Sequence, residues 1–126
     1  PLAVLRALHA ETPFTRIGIV GYSLGGNLTL KLAAERSAHG DLPIAAVAAV
    51  SPTIDLALCV EAIERPVNRL YQWNFMRGLR ARLRLKARHF PERYDLAPLR
   101  AVRTIREFDD AYTAPHAGFG TAARYY

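Results

Sequence analysis

Cysteine and long hydrophobic runs are what this sequence has least of. Its 126 residues include one cysteine, Cys59, so no internal disulfide can form and no metal cluster can be held by cysteines. A single cysteine is typical of proteins in a reducing compartment, which favours a cytoplasmic location. No apolar run approaches the roughly 20 residues that cross a bilayer, so the sequence predicts at most association with a membrane surface.

Acidic residues are nearly absent from one region. Between Arg65 and Arg106 the chain has 12 Lys or Arg but two acids, Glu92 and Asp95, a local net charge of +10 against +6 for the whole chain. The simplest interpretation is a solvated helix face whose arginine stems cover apolar surface. A second is attraction to an anionic membrane surface. A third, nucleic acid, lacks a recognition motif and has few aromatic residues among the arginines, so no such partner is predicted.

The first part of the chain has the apolar pattern of a parallel α/β unit. Residues 17–20 are a short β-branched run that suits a buried strand, and residues 44–50 form a second apolar run. Between them, leucines at 24, 28 and 32 recur every four residues, which predicts a helix to about Ser37 with a turn at 39–41. Two strands leave the faces and edges of a sheet uncovered, so we interpret the chain as a piece of a longer protein.

The second part of the chain is basic and has a helical pattern. Apolar residues recur every three or four positions from Trp73 to Phe90, which predicts one amphipathic helix ended by Pro91. Residues 80–88 also alternate as a strand would, but their Leu, Arg, Lys and Ala are strong helix formers. A shorter helix is predicted at 99–108 and a loop at 109–120. We place the division between residues 1–56, part of an α/β core, and residues 57–126, a helical segment.

A serine between two glycines follows the first predicted strand. The stretch Gly21-Tyr22-Ser23-Leu24-Gly25 matches G-x-S-x-G, which a chain of this length meets by chance about 4% of the time. A strand directly before and a helix directly after are the context of a nucleophile elbow. The alternative is a glycine-serine turn whose helix start binds phosphate. Against that alternative, no lysine follows the glycines and no G-x-G-x-x-G spacing occurs.

The elbow hypothesis assigns a role to each residue of this turn. Ser23 is predicted to be a nucleophile, held in a strained backbone conformation that exposes its hydroxyl. Side chains at Gly21 and Gly25 would collide with the neighbouring strand and helix, and Gly26 lets the helix start lie closer still. The Leu24 N–H, at the positive end of the helix, is predicted to stabilise the oxyanion of a tetrahedral intermediate.

Three stretches carry a family resemblance: "VGYSLGGNLTLKLAAE" at 20–35, "SPTIDL" at 51–56 and "TIREFDDAYTAPHAGF" at 104–119. They resemble the YheT-like branch of the α/β-hydrolase superfamily, which contains predicted esterases and lipase-like proteins. One departure is Arg124, where the branch prefers an acidic residue or threonine. The resemblance implies part of a doubly wound α/β-hydrolase sheet in residues 1–56. It also implies that residues 57–126 are a helical lid leading toward the next core strand.

The resemblance also implies a reaction. The branch suggests carboxylic-ester hydrolysis by a Ser-Asp-His triad without a cofactor or metal, on a small-molecule ester or acylglycerol. The acid and the histidine of the branch are expected beyond residue 126, and the second oxyanion donor is expected in an early loop outside the chain. A chain holding only the nucleophile is expected to be inactive, because a serine without a base is a plain alcohol.

Two further hypotheses remain open at the level of the sequence. The required order of serine, acid and histidine makes Asp55 and His116 formal triad partners of Ser23 within the chain. The functional rivals of ester hydrolysis are acyl transfer to an alcohol at the same site, and a non-catalytic lipid or membrane-surface binder that uses the basic segment. The sequence indicates no oligomeric state.

Overall fold

The computed structural model describes residues 2–12, 14–35 and 42–126 of the chain. The chain divides into two compact units, unit 1 (Pro1–Ile54) and unit 2 (Asp55–Tyr126). The helix end predicted near Ser37 and the turn predicted at 39–41 lie outside the described residues.

Unit 1 contains a helix, a strand, a helix and a strand, in that order. They are α1 (Leu2–Glu11), β1 (Ile17–Tyr22), α2 (Leu24–Ala34) and β2 (Ile44–Val50). Both predicted strands and the helix between them are confirmed, and β1 runs two residues further than its β-branched run. The β-branched Ile and Val of both strands suit a pleated surface, whereas the alanines of β2 do not favour a strand by themselves.

The strands pair in parallel, which sets the position of the residues that follow them. The register joins Ile17 to Ile44 at one end and Tyr22 to Val50 at the other, with one irregularity between residues 17 and 18. The residue after each strand, Ser23 or Ser51, therefore leaves the same edge of the sheet. The described residues form a two-stranded parallel sheet, so the α/β class is confirmed and the larger doubly wound sheet stays a prediction.

The core of unit 1 is small. Its buried apolar residues are Leu32, Leu42 and Ile44, and four partly buried residues pack against them, Leu2, Leu5, Ile19 and Val47. Val20 and Tyr22, at the end of β1, are exposed within this unit. The unit thus buries one side of the strand pair near α2 and leaves other apolar side chains at its surface.

Unit 2 is helical throughout. Its α-helices are α3 (Leu56–Glu64), α4 (Arg69–His89), α5 (Ile105–Phe108), α6 (Ala114–His116) and α7 (Ala122–Tyr125), with 3-10 turns at Pro66–Asn68 and Ala97–Arg100 and a π-helical turn at Asp109–Thr113. The long helix before Pro91 is confirmed. It packs through Met76 and Leu83 into a core shared with the later helices, whereas Trp73 and Phe90 at the ends of the predicted stripe are exposed.

Two predictions for unit 2 are wrong. The helix predicted at 99–108 is two pieces, because Thr104 and Glu107 form a capping box that begins a new helix at Ile105. The loop predicted at 109–120 is helical as far as His116, since α5 continues through the π-helical turn into α6. In the part of the chain that the structure describes, no helix combines the length and the hydropathy needed to cross a membrane.

Candidate active site

Ser23 has a strained backbone. It follows β1 directly and its φ of 52° and ψ of −122° lie outside the regions that side-chain-bearing residues prefer. Such a conformation costs about 1–3 kcal/mol and persists only where surrounding contacts impose it. The Ser23 N–H donates to the Val50 carbonyl at 3.0 Å, so the end of β2 holds one side of the strained residue.

The Ser23 carbonyl is the second anchor of the turn. It accepts hydrogen bonds from Gly26 N–H at 2.9 Å, Asn27 N–H at 3.2 Å and Thr53 N–H at 3.3 Å. A serine in the N-cap position usually turns its hydroxyl back to bind an N–H of the first helical turn. Here the Ser23 side chain makes no such capping bond, and the residue is exposed. The hydroxyl is therefore not used to cap α2.

The steric reason for glycine holds at two of the three glycines of the turn. A Cβ on Gly21 would overlap the carbonyl oxygen of Gly25 and the hydroxyl of Thr29, and would lie 2.6 Å from the Gly25 carbonyl carbon. A Cβ on Gly26 would lie 3.0 Å from the Pro52 side chain. These contacts explain why the chain needs glycine at 21 and a very small residue at 26.

Gly25 does not fit the same explanation. A Cβ built there meets nothing within 4 Å in the described part of the chain, so the collision expected at this position is absent. Gly25 instead borders an open cavity of about 390 Å³ that lies along β1 and α2. The reason is geometric, because a Cβ on Gly21 would point at the backbone of Gly25 whereas a Cβ on Gly25 would point into open space.

The Leu24 N–H is available to a ligand. Leu24 is the first residue of α2, and no acceptor for its N–H is found among residues 2–12, 14–35 and 42–126. The first N–H groups of a helix have no intrahelical acceptor and carry the positive end of the helix dipole. This donor therefore sits one residue from the Ser23 hydroxyl, at a point that favours negative charge.

The loop after β2 holds the turn in place, which no motif in the sequence predicted. The Asn27 side-chain amide donates to the Thr53 carbonyl at 2.7 Å, while the Thr53 N–H donates to the Ser23 carbonyl. Ser51, between β2 and this loop, also has a positive φ, 45°. Within the stretch "SPTIDL", Pro52 and Thr53 thus contact the turn at Ser23 and the start of α2.

Asp55 and His116 both lie in unit 2 and both have local structural roles. The Asp55 carboxylate caps α3 by accepting the Leu58 N–H at 2.9 Å. The ring of His116 lies 2.7 Å (Nδ1) from the Tyr112 carbonyl and 2.9 Å (Nε2) from the Arg93 carbonyl, and it stacks on Tyr94. Unit 2 is described completely, and it contains no hydrogen bond between Asp55 and His116. The acid–histidine contact of a triad is therefore not present between these two residues.

The acids of unit 2 mostly bind N–H groups of the backbone rather than arginines. One exception is Asp109, whose carboxylate accepts a hydrogen bond from the Tyr126 hydroxyl at 2.8 Å. The carboxylates that accept backbone N–H bonds, at 2.6–3.1 Å, are Asp55, Glu64, Asp95, Glu107 and Asp110. Unit 2 has 13 Lys or Arg, and within it one ion pair occurs, the exposed Arg65–Glu61 contact at 3.9 Å. Most of the positive charge predicted from the sequence is thus not paired with a carboxylate inside unit 2.

Three tyrosines of unit 2 have a raised pKa. Burial, together with the hydrogen bond to Asp109, raises the pKa of Tyr126 far above its ordinary value. Burial also raises the pKa of Tyr112 and of Tyr125. These phenols therefore stay neutral in the folded protein at neutral pH. In the described residues no group of three or more His, Cys, Asp or Glu side chains is placed to hold a metal ion.

Comparison with known proteins gives relatives over nearly the whole chain. The chain is 38% identical to the putative esterase YheT of Escherichia coli (strain K12), over 97% of this chain and 36% of that protein. It is 29% identical to phospholipase ABHD3 of Mus musculus, over 98% of this chain and 30% of that protein. The phospholipase ABHD3 of Homo sapiens is 26% identical, over 97% and 29% of the two chains.

Two other comparisons gave no match. No family model and no solved structure matches the chain. The chain spans about a third of the length of the curated relatives it matches. The aligned region nevertheless takes in the strand pair, the turn at Ser23 and the basic helices together, so the resemblance to the YheT-like α/β hydrolases is confirmed over nearly the whole chain.

Proposed function

We propose that this chain is the nucleophile-bearing part of a serine carboxylic-ester hydrolase, with Ser23 as the nucleophile. The observation that carries the proposal is the backbone of Ser23, which is held at a φ of 52° while its hydroxyl is not used as a helix cap. A serine that served only the turn would lower its energy by capping α2. Strain that persists without such a structural benefit is typical of functional sites.

The chemistry has two steps. The Ser23 oxygen attacks the ester carbonyl carbon, its proton passes to a base, and the alcohol leaves with a proton to give an acyl-enzyme. Water then attacks the acyl carbon, releases the carboxylic acid and returns the proton to Ser23. In both steps the carbonyl oxygen becomes an oxyanion, and the free Leu24 N–H is the donor that we assign to it, a contact worth about 3–4 kcal/mol in the transition state.

We assign the base and the acid of the triad to the remainder of the whole protein. The chain spans about a third of its relatives, and within it Asp55 caps α3 while His116 binds two carbonyl groups. The substrate class that we propose is a small-molecule carboxylic ester, including acylglycerols, because the relatives are named esterase and phospholipase. Product analysis with added alcohol separates hydrolysis from acyl transfer.

The test is covalent labelling of the whole protein with a fluorophosphonate, which reacts with activated serines. We expect one label on Ser23, lost in Ser23→Ala. The matched control is Ser51→Ala, because Ser51 is also exposed, also has a positive φ and follows the neighbouring strand. A label that survives in Ser23→Ala, or that disappears equally in Ser51→Ala, would refute the assignment.

A specific observation also favours a second role, contact with an anionic membrane surface. Just before α4 and in its first turn, the apolar side chains of Val67 and Leu70 are 87% and 84% exposed, and Arg69 between them has no carboxylate partner within unit 2. Exposed apolar side chains flanked by cations are the pattern of an interfacial helix. Sedimentation of the whole protein with anionic and with neutral vesicles tests this role. Ser23→Ala should leave that binding unchanged while it abolishes ester hydrolysis.

A further inference from the structure

Unit 2 contains a cavity that combines arginines with an apolar wall. It has a volume of about 640 Å³ and lies against the first half of α4 and the segment just before α5. Its residues are Arg69, Leu70, Gln72, Trp73, Met76, Arg80 and Arg103. We propose that this cavity binds a phosphate group carried by a molecule with an apolar body, such as a phospholipid.

The arginines of the cavity are free to bind an anion. No carboxylate lies within ion-pair distance of Arg69, Arg80 or Arg103 in unit 2, all of whose residues are described. The nearest acid in sequence to Arg103 is Glu107, and its carboxylate is occupied by the N–H groups of Arg103 and Thr104 at 2.6 and 3.1 Å. An anion that enters the cavity therefore does not have to displace an internal partner.

The side chain of one of these arginines and the backbone of another are also held in place. The Arg80 guanidinium donates to the Val102 carbonyl at 2.7 Å, which fixes its position beside the backbone that leads to Arg103. The Arg103 backbone is in turn fixed by Glu107. Guanidinium groups present several donors in a rigid plane that matches phosphate oxygens, and a side chain that is already ordered loses less entropy on binding.

The remaining wall of the cavity is apolar. Met76 forms its floor and is 3% exposed, whereas Leu70 and Trp73 are 84% and 61% exposed at its rim. Arg77 lies over the Trp73 ring at 5.1 Å from its centroid and so holds the indole in position. An inorganic anion would leave this apolar surface uncovered, so the cavity suits a ligand with both a phosphate and a hydrocarbon part.

This inference goes beyond the proposed ester hydrolase, because it gives unit 2 a phospholipid-binding site of its own. Binding can still be measured apart from hydrolysis by using the whole protein with Ser23→Ala. The probes are dihexanoylphosphatidylglycerol below its micelle concentration, dihexanoylglycerol, which lacks the phosphate, and inorganic phosphate. Titration calorimetry should show the phospholipid binding at least tenfold more tightly than either of the other two.

The decisive variants each remove two positive charges, one pair inside the cavity and the other pair outside it. The double variant Arg69→Gln, Arg103→Gln should weaken phospholipid binding by about tenfold or more for each arginine, because each loses a charge-assisted hydrogen bond. The matched control is Arg84→Gln, Arg88→Gln, which removes two exposed arginines of the same helix that lie outside the cavity. Its affinity should stay within about twofold of the parent, and circular dichroism should show both variants folded.

Three outcomes would overturn the proposal. Equal loss of affinity in the two double variants would mean that diffuse charge, not the cavity, attracts the lipid. Equal affinity for inorganic phosphate would mean that the apolar wall takes no part and that the ligand is a free phosphate. Equal affinity for dihexanoylglycerol would mean that the arginines take no part. Absence of a fluorophosphonate label on Ser23 in the unchanged whole protein, with phospholipid binding retained, would refute the serine hydrolase and leave the cavity proposal intact.

Discussion

The two units use their polar groups in opposite ways. In unit 1 the turn at Ser23 directs backbone N–H groups onto one carbonyl and leaves a side-chain hydroxyl unused. In unit 2 the side chains of Glu107 and Asp110 bind backbone N–H groups and leave arginines unpaired. Each unit satisfies its own backbone first. The groups left over, one hydroxyl in unit 1 and a set of cations in unit 2, are those available for chemistry and binding.

The largest effect is expected at Gly21, where the turn of unit 1 has no spare space. In Gly21→Ala the new Cβ overlaps the Gly25 carbonyl oxygen and the Thr29 hydroxyl, so the turn must open. We expect a loss of about 3–5 kcal/mol in the free energy of unfolding and no fluorophosphonate labelling. Urea unfolding and labelling of the whole protein measure the two effects.

Gly25→Ala is the control for Gly21→Ala, since it adds the same methyl group four residues away. Its Cβ faces open space and alanine favours helix over glycine, so the free energy of unfolding should change by less than about 1 kcal/mol. Labelling at the wild-type rate in Gly21→Ala, or equal damage from both variants, would contradict the role given to Gly21.

The next effect tests how unit 2 uses its acids. Glu107→Ala removes the acceptor for the N–H groups of Arg103 and Thr104 and breaks the capping box of α5. We expect a loss of about 1–2 kcal/mol in the free energy of unfolding, with faster hydrogen exchange at those two amides. Glu92→Ala, at an exposed acid with no contact in unit 2, should change it by less than about 0.5 kcal/mol. Similar losses in the two variants would show that Glu107 acts only through its charge.

A smaller effect is expected from the bond between α2 and the loop after β2. Asn27→Ala removes the donor to the Thr53 carbonyl and should lower the free energy of unfolding by about 1 kcal/mol. Labelling of Ser23 should slow severalfold, because the loop that holds its carbonyl becomes less ordered. Asn74→Ala, at an exposed position of α4, is the control and should leave the labelling rate unchanged. An unchanged labelling rate in Asn27→Ala would show that the turn keeps its conformation without the bond to the Thr53 carbonyl.

The smallest effect on stability is expected for Tyr126 in unit 2, and it appears only at alkaline pH. Burial and the hydrogen bond to Asp109 raise its pKa, so the neutral phenol favours the folded state. This contribution is complete below the ordinary tyrosine pKa near 10 and is lost as the pH rises above it toward the folded value. Thermal unfolding between about pH 8 and 11 should show a decline that Tyr126→Phe reduces. Tyr71→Phe, at an exposed ring, is the control, and an equal reduction there would contradict the assignment.

Local patterns in the sequence predicted most of the elements, and the missed helix start at Ile105 has a local explanation too. The strands and the long helix α4 follow from periodicity within one segment. The segment 105–116 was predicted partly as loop because it contains Pro115 and ends near two glycines, yet Thr104 and Glu107 are spaced as a capping box and mark a helix start. The π-helical turn between α5 and α6 follows from packing in unit 2, which no short pattern reports.

The candidate site was predictable only where it is local. The glycine pattern around Ser23 predicted a strained turn and a free Leu24 N–H, and both features lie within the five residues of that pattern. The bond from Asn27 to the Thr53 carbonyl joins residues 26 apart, so it depends on the pairing of β1 with β2 and not on the motif. The same holds for Gly25, whose environment depends on which elements surround β1.

The hydrogen bonds to the Ser23 carbonyl determine when the backbone geometry of this site is set. Because three N–H groups converge on that one oxygen, the peptide after Ser23 cannot rotate without losing all three bonds together. The direction of the Ser23 Cα–Cβ bond is thus set once, when the chain folds, and not anew each time a ligand arrives. For the nucleophile that we propose, substrate binding need not supply the free energy of placing this backbone.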